Sequence, residues 1–62
     1  MKHATLSTAI AITAKAFEGV EDKGGQPYIL HCLHVMRQVG KATNNDHEVM
    51  MIAVMHDLVE DT

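Results

Sequence analysis

The sequence predicts an all-α fold, three helices joined by short loops. Apolar residues recur at steps of three and four through three segments, which is the period of a helix with one buried face. Two short polar stretches separate the segments, one bearing glycines and one bearing asparagines. No repeat, low-complexity run or interdomain linker interrupts them, so the chain reads as one α-helical unit.

The first helix is expected over about residues 4–18, where Leu6, Ile10, Ala14 and Phe17 share a face. Thr5, Ser7 and Thr8 can cap its orphan amides, and Gly19 follows the last periodic residue, where helices commonly end. A polar loop runs from Gly19 to Gln26. Pro27 then suits the first turn of a second helix, expected over residues 27–40, because its missing N–H costs nothing there. Tyr28, Cys32, Val35 and Val39 lie along one stripe of that helix, with Ile29, Leu33 and Met36 beside it and Gly40 as its end. Residues 41–46 (KATNND) form a turn of side chains that bond their own backbone. Asn45 or Asp46 can cap a third helix, expected over 46–61, with Glu48 favourable in its first turn. Val49, Ile52, Ala53, His56 and Val59 share a face, which is expected to point inward.

Composition excludes several classes. At 47% hydrophobic, 21% charged and net charge −3, the 62-residue chain is too apolar for a disordered tail. No apolar run reaches the roughly 20 residues needed to cross a bilayer. The start Met1-Lys2-His3, followed by an amphipathic stretch, points to no signal peptide. One cysteine, Cys32, allows no internal disulfide and suits a reducing cytoplasm. Five Lys and Arg on an acidic chain make a poor nucleic-acid binder. Length is the sharper limit. A chain of about 60 residues is marginal alone and usually adds a metal, a partner or further chain.

The end of the third helix is chemically unusual. Asp57, Glu60 and Asp61 crowd the helix end that already carries partial negative charge. His56 and Glu60 are four apart and therefore neighbours, as are Asp57 and Asp61, with no Lys or Arg nearby in sequence. A divalent cation between these rows would relieve the repulsion, as would continuation of the chain. His56 reads either as a core histidine with a hydrogen-bond partner or as a ligand. On the second helix His31 lies at the edge of the buried stripe and His34 faces solvent. Imidazole from one helix with imidazole and carboxylate from another suits Mn, Fe, Co, Ni or Zn better than Ca or Mg. Cys32 reads as a small buried hydrophobe, since adjacent helical residues point about 100° apart and His31 cannot easily reach it.

Two segments carry a family likeness. Gly24-Gly25-Gln26-Pro27-Tyr28-Ile29-Leu30-His31 resembles a G-x-P-Y-I-x-H segment, and Met55-His56-Asp57-Leu58-Val59-Glu60-Asp61-Thr62 resembles L-H-D-x-x-E-D-T. Together, in order and with His31 and His56 25 positions apart, they resemble the HD superfamily of metal-dependent phosphohydrolases. The nearer likeness is to RelA/SpoT-type hydrolases of guanosine tetra- and pentaphosphate (ppGpp) and their small stand-alone relatives. The resemblance implies the N-terminal portion of an HD-domain helical fold. It implies that His31, His56 and Asp57 ligate a divalent metal, typically manganese. Glu60 and Asp61 would help to position or activate the attacking water. The substrate implied is a nucleotide polyphosphate, hydrolysed at its 3′-pyrophosphate ester.

Two features depart from that pattern. The family's fourth metal ligand, an aspartate from a later helix, lies beyond Thr62. The upstream A-H-x-G-Q-x-R pattern appears as Ala16-Phe17-Glu18-Gly19-Val20-Glu21-Asp22, so Phe17, Val20 and Asp22 stand where the family has His, Gln and Arg. Lys23 is the nearby cation that could meet phosphate. A chain of this length is then expected either to join the remainder of its domain or to form a homo-oligomer through faces left uncovered. The alternative to a hydrolase is a non-catalytic helical oligomerisation or interaction module derived from such a domain.

Overall fold

The structure, a computed structural model, describes residues 5–60, with the backbone only at Glu60. It is all-α: α1 Leu6–Ala16, α2 Tyr28–Thr43 and α3 His47–Glu60. α3 packs against both α1 and α2, while α1 and α2 touch each other sparingly. The core therefore lies along the inner face of α3. It gathers Ala9 and Phe17 from the α1 side, Cys32 and Met36 from α2, and Met50 and Val54 from α3.

α1 is capped by Thr5, whose side-chain oxygen accepts from the Thr8 N–H at 3.1 Å. It ends two residues earlier than the sequence suggests. Phe17 closes it with an N–H bond to the Thr13 carbonyl, and Gly19 takes a left-handed φ of 81° in the turn that follows. The deepest row is Ala9, Thr13 and Phe17: Phe17 of the expected stripe is buried, while Ala9 and Thr13 lie deeper than their expected neighbours Ile10 and Ala14. Thr13 can occupy that row because its hydroxyl donates to the Ala9 carbonyl at 2.8 Å, which satisfies the one buried polar side chain among the described residues.

α2 begins after Pro27, which stands at the N-cap rather than within the first turn. Gly40 does not end this helix. It is buried three residues before the end, where an added Cβ would lie 3.0 Å from the Met50 methyl. Glycine thus serves close packing of α2 on α3 here. The helix stops instead at Asn44 and Asn45, both left-handed, with φ of 58° and 64°. Asparagine tolerates that conformation where most residues do not. Asp46 then caps α3 by accepting from the Glu48 and Val49 N–H groups.

The expected inward face of α3 is corrected by the structure. Ile52 is 70% exposed and Val59 68% exposed, while Met50, Ala53 and Val54 are buried. The reason is that residues 49–55 are all apolar, so periodicity alone cannot choose a face. Contact with two helices selects the Met50–Val54 side. The outer side keeps a shallow apolar groove lined by Glu48, Met51, Ile52, Met55, His56 and Val59. Among the described residues no helix is long and apolar enough to cross a membrane.

Cys32 is fully buried. Burial and, secondarily, the nearby Asp57 charge push its thiol above the ordinary value of 9.0. The folded chain therefore holds this proton more tightly than the unfolded chain. That stabilisation is fully present below pH 9.0 and is lost as pH rises through the folded value. The melting temperature is expected to fall more steeply above that pH in the wild type than in Cys32→Ala. Equal slopes in a pH series of thermal melts would contradict it.

Candidate metal centre

The site begins with the loop between α1 and α2. The Asp22 carboxylate accepts from the N–H groups of Gly24 and Gln26, at 2.9 and 3.0 Å. The Asp22 N–H in turn donates to the Gln26 carbonyl at 2.8 Å. Gly25 supplies the left-handed residue this turn requires, with φ 85°. Glu21 and Pro27 form an isolated antiparallel bridge, and the Tyr28 N–H donates to the Val20 carbonyl at 2.8 Å. The polar loop is thus a short stapled hairpin. It fixes Tyr28 as the first residue of α2, with the Tyr28 ring 4.9 Å from that of Phe17. One turn on, the His31 ring lies 5.4 Å from Tyr28.

On α3 the buried row Met50, Ala53 and Val54 leads at helical spacing to Asp57, with His56 beside it at the edge of that row. The Asp57 side chain is 15% exposed, His56 38% and His31 49%. The expectation of an inward-facing His56 is therefore corrected. The carboxylate next to it in sequence points inward, and His56 reaches it from the rim. Three groups converge on Asp57. The Tyr28 hydroxyl donates to Oδ2 at 2.5 Å. His31 Nε2 lies 3.8 Å from the same oxygen, and His56 Nε2 lies 3.0 Å from Oδ1.

The tautomer of His56 decides what this arrangement can hold. His56 Nδ1 stands 2.6 Å from the Ala53 carbonyl oxygen, which can only accept. Nδ1 therefore carries a proton. In the neutral ring Nε2 is then a bare lone pair facing a carboxylate oxygen, an arrangement that needs a proton or a cation between the two. A backbone carbonyl on the far nitrogen is also how metal-binding imidazoles are commonly oriented. Donors at about 2.0–2.2 Å from a divalent ion lie roughly 3.0–3.5 Å apart. The His56–Asp57 separation fits that range, and the His31–Asp57 separation is a few tenths of an ångström wider. Among the described residues no three His, Cys, Asp or Glu side chains already stand together as a metal-holding group. The donor chemistry and the His56–Asp57 pair nevertheless fit a divalent cation, with His31 as the donor that must draw in.

The other expected residues fall elsewhere. Lys23 is exposed on the hairpin, in a cleft with Phe17, Val20, Glu21, Asp22 and Tyr28. His34 is exposed on α2. The Glu60 side chain and Asp61 lie outside the described residues. Tyr28 escaped sequence reasoning as a site residue because it fits the apolar stripe of α2. Its place one turn before His31 was the available signal.

The chain is 39% identical over 51 residues to the guanosine-3′,5′-bis(diphosphate) 3′-pyrophosphohydrolase of Haemophilus influenzae. The match takes in 82% of this chain and 7% of that protein, so the chain spans only a small part of its relative. The activity in that relative's name is the one that the resemblance of the two segments implies. No family model matches the chain, and no solved structure matches it.

Proposed function

We propose that this chain carries the metal-holding part of an HD-type phosphohydrolase acting on a guanosine polyphosphate such as ppGpp or a related nucleotide. The observation that carries the reading is His56 Nε2 set against Asp57 Oδ1 at 3.0 Å, with His31 Nε2 at 3.8 Å from the other carboxylate oxygen. The similarity to a 3′-pyrophosphohydrolase supports it and suggests the substrate. His31, His56 and Asp57 would hold the ion, Mn²⁺ by preference and Fe, Co, Ni or Zn as substitutes. Such an ion, when bound, polarises a phosphoryl oxygen and lowers the pKa of water. The chain's own residues orient that centre: Ala53 fixes the His56 tautomer, and the stapled hairpin sets Tyr28 and His31 beside Asp57. Glu60 and Asp61 would act on the attacking water, and Lys23 would meet phosphate from the hairpin.

The test is release of pyrophosphate from guanosine 3′,5′-bis(diphosphate), followed by anion-exchange chromatography with and without Mn²⁺. The reading expects Mn²⁺-dependent release that His31→Ala removes. Release that is indifferent to Mn²⁺ or to His31 would contradict it.

A second reading rests on the outer face of α3, where Ile52 and Val59 are largely exposed. In that reading the chain is a helical module that associates through this ridge, either with another copy or with the remainder of its domain, without turning over substrate. It expects sedimentation to show concentration-dependent association without metal. A monomer at every concentration would remove its homo-oligomeric form.

A further inference from the structure

We infer that Tyr28 is a positioning residue of this site, its hydroxyl holding the Asp57 carboxylate in the orientation that receives a divalent cation. The inference rests on the metal reading above and adds a residue to it. Four observations support it. The Tyr28 hydroxyl donates to Asp57 Oδ2 at 2.5 Å. The bond joins α2 to α3 across 29 positions of sequence, so it bears on how the two ligand-bearing helices face each other. The ring packs against Phe17 at 4.9 Å and His31 at 5.4 Å, and the Tyr28 backbone is tied to Val20. The hydroxyl also takes only one lone pair of Oδ2, which leaves the carboxylate able to ligate.

A carboxylate with two oxygens and a freely turning side chain has many orientations. Tyr28 is held by its backbone bond to Val20 and by its ring contacts with Phe17 and His31. Hydrogen-bond partners of this kind typically change metal affinity by roughly 10–100-fold when removed. A competing role for Tyr28, shielding the carboxylate from a metal, would give the opposite sign.

The test uses the whole chain and Tyr28→Phe, which removes the hydroxyl and leaves the ring. Mn²⁺ affinity is measured by electron paramagnetic resonance of the free ion, and folding by circular dichroism and thermal melting. The inference expects Mn²⁺ affinity to fall by roughly 10–100-fold at unchanged helix content. Unchanged or tighter binding overturns it. A purely structural role would lower the melting temperature and leave the affinity of the folded chain alone, which also overturns it.

Tyr28 is the chain's one tyrosine and there is no tryptophan, so tyrosine emission reports on this residue alone. This gives a readout independent of metal. Emission is expected to brighten in Asp57→Ala, where the quenching carboxylate is gone, and unchanged emission would overturn the contact itself. A wild-type chain that takes up no Mn²⁺ but brightens in Asp57→Ala would overturn the metal reading and the positioning role together, leaving the contact as structure only. If Tyr28→Phe fails to fold, a 3-fluorotyrosine chain keeps the hydroxyl and gives a single fluorine resonance. The inference then expects that resonance to shift with Zn²⁺ in step with binding, and an unmoved resonance overturns it.

Discussion

Phe17→Ala is expected to abolish cooperative folding. Phe17 is 8% exposed and belongs to the buried cluster with Ala9, Cys32, Met36, Met50 and Val54. Removing a buried phenylalanine ring typically costs about 3–5 kcal/mol. A single core in a chain this short rarely supplies more than about 3–5 kcal/mol in total, so one substitution consumes the margin. The ring also supports Tyr28 at 4.9 Å, so its loss unseats the start of α2. Circular dichroism at 222 nm should show a low, non-cooperative signal at 25 °C. A sigmoidal melt within a few degrees of the wild type would contradict this account of the core.

Asp57→Asn is expected to remove divalent-metal binding while sparing the fold. Asparagine keeps the shape and a carbonyl oxygen able to accept from the Tyr28 hydroxyl. It loses the negative charge that would hold a cation. Affinity for Mn²⁺ should fall on the order of 100-fold or more, beyond the range seen when only a ligand's supporting partner is lost. Metal-free helix content should hold, because asparagine keeps the shape and can still accept the Tyr28 bond. A second readout comes from Cys32, whose raised pKa owes its second cause to the Asp57 charge. In Asp57→Asn the thiol should come down towards its ordinary value while remaining above it, because burial persists. An unmoved thiol would contradict the electrostatic link between α2 and α3.

The three helices were legible because their signals were local. Thr5, Asp46 and the asparagine turn mark helix ends through backbone chemistry that involves only neighbouring residues. The facing of α3 was not legible. Seven consecutive apolar residues permit several stripes, and only packing against two helices decides among them. The same ambiguity assigned the inward position to His56 rather than Asp57. Gly40 misled for a related reason, since glycine serves a helix end and a close helix crossing equally well, and the Met50 side chain that distinguishes them lies across the fold. The site was half legible. His31, His56 and Asp57 stood out by residue type and order, whereas Tyr28 joined them only through a contact made between helices. Asp22 read as a departure in a loop, yet its carboxylate staples the hairpin that sets Tyr28.

The central claim is that His31, His56 and Asp57 act together on one cation. A calorimetric titration of the metal-stripped chain with Mn²⁺, run beside His56→Ala, tests it most directly. The account predicts saturable binding of one ion per chain, lost in the variant while its helix content is retained. Absence of saturable binding in the wild type, or binding of equal strength in His56→Ala, would contradict it.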